Sequence, residues 1–113
     1  MALKLNIYKT VTAVASLSDT DIYTAPVGYS GIILLAQVAN IGATSYDVSL
    51  YHKRITNSGT VITEIAKNFP ISGNDTVSLV SGKLVLETGD TLVLSASNSS
   101  NVKLILSILE TLN

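Results

Sequence analysis

Apolar and polar residues alternate along most of this chain with a period of two, the signature of a half-buried β-strand. Leu3, Leu5 and Ile7 alternate with Lys4, Asn6 and Tyr8, and the pattern continues more loosely through Val11-Thr12-Ala13-Val14. This predicts a first strand, or two short ones. After the turn cluster Ser18-Asp19-Thr20-Asp21, a short strand is expected over Asp21 to Thr24. Ala25-Pro26-Val27-Gly28-Tyr29 then reads as a tight connection, because proline fixes φ and glycine permits φ > 0.

Ser30 to Ile41 is the most apolar stretch, and its unbroken start predicts a strand buried on both faces. Tyr46 to Lys53 alternates cleanly, with Val48, Leu50 and His52 on one side and Asp47, Ser49 and Tyr51 on the other. Asn57-Ser58-Gly59-Thr60 signals a hairpin into a strand near Val61 to Ala66. Asn68 to Asp75 reads as a loop with one buried anchor, Phe69 or Ile71. Further strands are expected at Thr76–Val80, Lys83–Leu86, Thr91–Ser97 and Val102–Glu110, divided by Ser81-Gly82, Glu87-Thr88-Gly89-Asp90 and Asn98-Ser99-Ser100-Asn101. No segment of helix length carries an i, i+3, i+4 stripe.

Eight to ten short strands with turns every 8–12 residues predict an all-β, antiparallel, jelly-roll-like β-sandwich. At 113 residues one domain is expected over 1–113. The centre of its core is expected in Gly31–Ile41 and Val102–Leu109, with Leu34 and Leu106 fully packed.

Composition narrows the function. Charged residues make up 13% of the chain, about half the ~25% of an average domain. Such a surface defends weakly against association; it is either covered in part by partner subunits or simply a neutral sandwich surface, and composition favours neither. The net charge is −1 and only Lys53-Arg54 are adjacent cations, which argues against nucleic-acid binding through phosphates. The start alternates instead of forming an apolar leader, and no stretch approaches the ~20 apolar residues of a membrane helix, so a protein kept in solution is expected. The absence of cysteine excludes disulfides, thiolate metal sites and thiol catalysis.

Few groups could carry chemistry. His52 is the only histidine, no Gly-x-Ser-x-Gly elbow exists, and Asp47 faces away from His52, so no catalytic triad is expected. Dispersed carboxylates with one histidine do not make a zinc site. Asp19-Thr20-Asp21 and Asn74-Asp75 could offer oxygens to calcium, but Asp and Asn also stabilise turns by local hydrogen bonds, and that reading is preferred. No cofactor and no enzyme activity are expected. The tyrosines are the one aromatic resource: Tyr23, Tyr29, Tyr46 and Tyr51, with His52, are the candidate interaction surface, although the preferred reading of each tyrosine is that it plugs the rim of a core with almost no other aromatics.

Four segments carry a resemblance: Ile22-Tyr23-Thr24-Ala25-Pro26-Val27-Gly28-Tyr29, Leu35-Ala36-Gln37-Val38-Ala39-Asn40, Ser81 to Asp90, and Leu106-Ser107-Ile108-Leu109-Glu110. Together they resemble small β-sandwich virion proteins of tailed bacteriophages, of the kind found in phages of cyanobacteria and other marine bacteria. The resemblance implies a multi-copy structural part of the particle: a capsid decoration or cement protein, or a neck, tail or baseplate component. It would be made in the host cytoplasm and joined to other virion proteins. It implies no catalytic residues. A homo-oligomer, a trimer by analogy, is expected. The alternative is a carbohydrate- or receptor-binding module, as at a fibre tip.

Overall fold

The computed structural model describes residues 4–113. The expected onset of the first strand at Leu3 lies outside the described residues. Nine strands follow in order: β1 (Asn6–Val14), β2 (Thr20–Thr24), β3 (Tyr29–Asn40), β4 (Tyr46–Thr56), β5 (Gly59–Ile71), β6 (Asp75–Ser78), β7 (Leu84–Leu86), β8 (Thr91–Ala96) and β9 (Val102–Leu112). They form two antiparallel sheets. One runs β1-β9-β3-β6, with β7 also paired to β3; the other runs β2-β8-β4-β5. With β6 and β7 sharing one position, this is the order of a jelly roll, in which successive strands pass back and forth between two facing sheets.

The inner faces pack aliphatic side chains almost alone. Ile33, Ala36, Val38, Leu86, Val102, Leu104, Leu106 and Ile108 of the first sheet meet Val48, Leu50, Leu92 and Leu94 of the second. β9 shows the period-two pattern along its length: Val102, Leu104, Leu106, Ile108 and Glu110 are buried, and the intervening residues are partly or fully exposed. The expectation of a central strand there is met.

Three expectations are corrected. β3 is not buried on both faces, because none of the described strands packs against the outer side of its sheet; Ile32, Gln37 and Ala39 are only half-buried there. Leu34 is not a core residue. The register against β9 shifts between Ile33 and Leu35, so Leu34 is the extra residue of a β-bulge and stands 38% exposed. The bulge keeps Ile33 and Ala36 both pointing inward despite their odd spacing. Finally, Asn68 to Ile71 is strand and not loop: β5 continues to Ile71 through two register shifts against β4, with Asn68 at φ 50°. Of the two proposed anchors Ile71 is buried and Phe69 is exposed.

A denaturation experiment separates the two leucines. Leu106→Ala should lose about 2–5 kcal/mol, the range for a buried leucine truncation. Leu34→Ala should lose less than about 1 kcal/mol, as a partly solvated side chain at a bulge.

Candidate functional site

The turn Glu87-Thr88-Gly89-Asp90 carries the chain from β7 in one sheet to β8 in the other. Its Asp90 carboxylate is buried, which requires partners for both oxygens. Arg54 supplies a fork: Nε donates to Oδ1 at 2.8 Å and Nη2 to Oδ2 at 2.6 Å. His52 Nε2 lies 3.0 Å from Oδ2, and the Glu87 backbone N–H donates to the same oxygen at 2.9 Å. Arg54 Nη2 also reaches Glu87 Oε2 at 3.0 Å. The Arg54 bonds, followed by those from His52 and Glu87, lower the Asp90 pKa to about 2, against the opposing effect of burial.

The neighbouring crossing locks onto this turn. Ala25 N–H donates to the Asp90 carbonyl, Gly89 N–H donates to the Ala25 carbonyl, and Thr88 Oγ1 donates to the Tyr29 carbonyl at 2.6 Å. The two sequence signatures Tyr23-x-Ala25-Pro26-x-Gly28 and Leu86-x-x-Gly89-Asp90 therefore form one corner. Gly28 and Gly89 adopt φ of 86° and 88°, the left-handed region that favours glycine.

A second buried carboxylate, Glu110, stands on the inner face of β9. Tyr23 crosses from the opposite sheet and its hydroxyl donates to Glu110 Oε2 at 2.7 Å, while Lys9 Nζ lies 3.1 Å from Oε1. Burial, then the bond to Glu110, pushes the Tyr23 phenol far above its ordinary range. Gly31 makes room for this contact: a Cβ there would lie 2.7 Å from the Tyr23 hydroxyl oxygen.

The structure disperses the candidate residues Tyr23, Tyr29, Tyr46, Tyr51 and His52. The Tyr23 phenol is spent on Glu110, and the Tyr29 hydroxyl donates to the Lys4 carbonyl at 2.8 Å. Tyr46 packs against the core, Tyr51 is half-buried on the outer side of β4, and His52 belongs to the Asp90 cluster. Asp21, weighed as a calcium ligand, is held by Lys53 Nζ at 2.8 and 3.0 Å. Asp75 Oδ1 accepts the Thr76 N–H. Among the described residues no three His, Asp or Glu side chains converge as metal ligands. Sequence reasoning compared His52 with Asp47, its near neighbour, and passed over Asp90, which lies 38 residues away. The signal was the Gly89-Asp90 turn itself, whose buried carboxylate has to find donors.

Two hollows of about 490 and 320 Å³ lie on the outer side of the β1-β9-β3 sheet; neither is lined by Asp90, Glu87, Arg54 or His52, and Lys9 lines the smaller. The arrangement binds strand to strand.

No protein-family model matches the chain, and no curated protein does. Solved structures do. A chain of the T13 IBDV viral particle superposes over 97% of this chain with a TM-score of 0.58 at 10% identity; this chain spans about a third (32%) of that one. A chain of the Bacillus endospore appendages, a family of disulfide-linked pili, aligns over 99% of this chain and 93% of its own length, with a TM-score of 0.45 at 13% identity. At these identities the first likeness shows a shared β-sandwich fold.

Three measurements test the clusters. Asp90 is ionised more readily folded than unfolded, since its pKa falls from 3.8 to about 2. Its contribution is therefore present above pH ~4 and lost as the pH falls toward 2. Wild type should lose on the order of 1 kcal/mol more than Asp90→Asn across that window in denaturant titrations at each pH. Tyr23→Phe, which removes a donor from buried Glu110, should cost about 1–3 kcal/mol. Gly31→Ala should cost less in a Tyr23→Ala background than alone, because the clash partner is then gone.

Proposed function

We propose that this chain is a non-enzymatic structural part of a tailed-phage virion, present in many copies and attached to other virion proteins. It would serve as a capsid decoration or cement, or as a neck, tail or baseplate component. The observation that carries this reading is the use made of the buried charges. Among the described residues the buried charged side chains are Asp90 and Glu110, and each is engaged in joining strands. Among the described residues no buried side-chain polar atom is left without a partner.

Three further points support it. The jelly roll is shared with a chain of a viral particle. The segments that resemble phage virion proteins include the interlocked corner at Ala25 and Asp90, so the resemblance falls on structurally necessary residues. Of the tyrosines that the carbohydrate-binding alternative would use, the phenols of Tyr23 and Tyr29 are turned to internal partners.

Mass spectrometry of purified particles tests the proposal. The protein is expected among the virion components at several copies per particle and to stay bound through gradient purification. Its absence from intact particles overturns the reading.

A further inference from the structure

The outer faces of the two sheets differ sharply in charge. On the β2-β8-β4-β5 sheet the outward positions include Asp21, Asp47, Lys53 and Glu64, the positions expected of a solvated face. On the other sheet the inward residues of β9 are buried, so Lys103, Ile105, Ser107, Leu109 and Thr111 point out. Their register partners build rows across the sheet. Tyr8, Leu109, Ile32 and Val85 align across β1, β9, β3 and β7. Thr12, Ile105 and Gln37 form another row, and Val14, Lys103 and Ala39 a third. Tyr8 is 76% and Val85 55% exposed. Lys103 is the one charged residue at the outward positions of the described strands of this sheet.

We infer that copies of this chain associate through this face, as a two-fold pair. Several features favour a second copy over another occupant. A lone cation offers no field to attract an acidic or basic partner, and it places no like charges in opposition at the centre of a self-paired face. Lys103 stands at one end, about 20 Å along β9 from the Leu109 row, so a two-fold axis that crosses β9 near its middle sets the two lysines far apart. The polar groups between the apolar rows are Thr10, Thr12, Gln37 and Ser107, hydroxyls and an amide that both donate and accept. Such groups can pair with their own copies.

Relief and size fit as well. The hollow of about 490 Å³ is lined by Thr12, Val14, Ala39 and Ile105 among others, and that of about 320 Å³ by Tyr8, Leu34 and Ser107 among others. The larger lies at the Lys103 end of the face and the smaller farther along it, beside the exposed Tyr8, so an isologous contact whose axis runs across β9 brings the Tyr8 of each copy toward the larger hollow of its mate. Four strand positions by nine residues give a footprint of about 600 Å², before side-chain relief is counted, of the same order as the ~800 Å² per partner of a stable interface.

This deepens the multi-copy reading and rests on it for its setting, but it is read out separately. Light scattering of the purified protein over a dilution series is the experiment. The expected result is a mass twice the 11.9 kDa of one chain. Ile105→Glu, which puts a carboxylate on the face at the interior strand β9, should raise the dissociation constant by more than about 100-fold, and Val85→Glu should weaken it less. Thr60→Glu, on the exposed start of β5, should leave the mass unchanged. The variants alter surface positions, and an unchanged circular dichroism spectrum confirms their folding. A wild-type monomer at about 100 µM, or an oligomer indifferent to both face variants, overturns the inference. Either result leaves presence in the particle to its own test.

Discussion

Every connection in this chain except β4–β5 and β6–β7 leaves one sheet for the other, and each crossing takes backbone groups off the ladder. Unpaired backbone groups at the margin of a core are costly, so the fold depends on how the crossings are satisfied. They are gathered at two ends, and a buried polar residue organises each. At one end Asp90 ties its own turn to β4, while the β2–β3 crossing bonds to its backbone. At the other end Asn40 donates from Nδ2 to the carbonyls of Thr44 and Ile71 and accepts from the Gly42 N–H. Gly73 passes so close to Ala43 that a Cβ would lie 2.5 Å from its carbonyl oxygen. An apolar residue at position 40 or 90 would leave several such groups with no partner.

Between these ends the core has little shape to work with. It is built of Val, Ile, Leu and Ala, with tyrosines only at its rim. Aliphatic side chains give burial without much directional preference, so uniqueness has to come from elsewhere. The Tyr23–Glu110–Lys9 group supplies it. A phenol from β2 in one sheet can reach a carboxylate on β9 in the other only when Gly31 lies beneath it, which fixes the offset of the two sheets. The bulge at Leu34 fixes the register of β3 against β9 in the same way.

The period-two pattern made the sandwich legible, since alternation in Val102–Glu110 and Tyr46–Lys53 reports one buried face directly. It failed where the backbone departs from the period. Leu34 belongs to the most apolar run in the chain, and hydrophobicity alone cannot show which residue of Ile33-Leu34-Leu35 is displaced by a bulge. Asn68-Phe69-Pro70 has turn composition, yet β5 is an edge strand, where a proline has a free side on which its missing N–H costs nothing. The Asp90 cluster was half legible. The Gly89-Asp90 turn is plain in the sequence, but its donors His52 and Arg54 come from β4, and that convergence is set by sheet order. Glu110 likewise reads as the polar end of a strand until the register places it on the inner side.

The sparse charge of the chain acquires a meaning once the faces are separated. Thirteen per cent charged residues, spread evenly, would give each sheet a thinly charged exterior. They are not spread evenly. Asp90, Glu110, Lys9, Arg54 and Glu87 are committed to the two clusters, and Asp21 and Lys53 pair across the β2-β8-β4 face. What remains leaves one outer face with a single lysine. A solvated antiparallel sheet gains solubility from charged outward positions at almost no cost to its fold. Their absence from β1, β3 and β7, beside exposed Tyr8 and Val85, therefore does nothing for an isolated chain, and it is the condition under which such a face can be covered without stranding a charge.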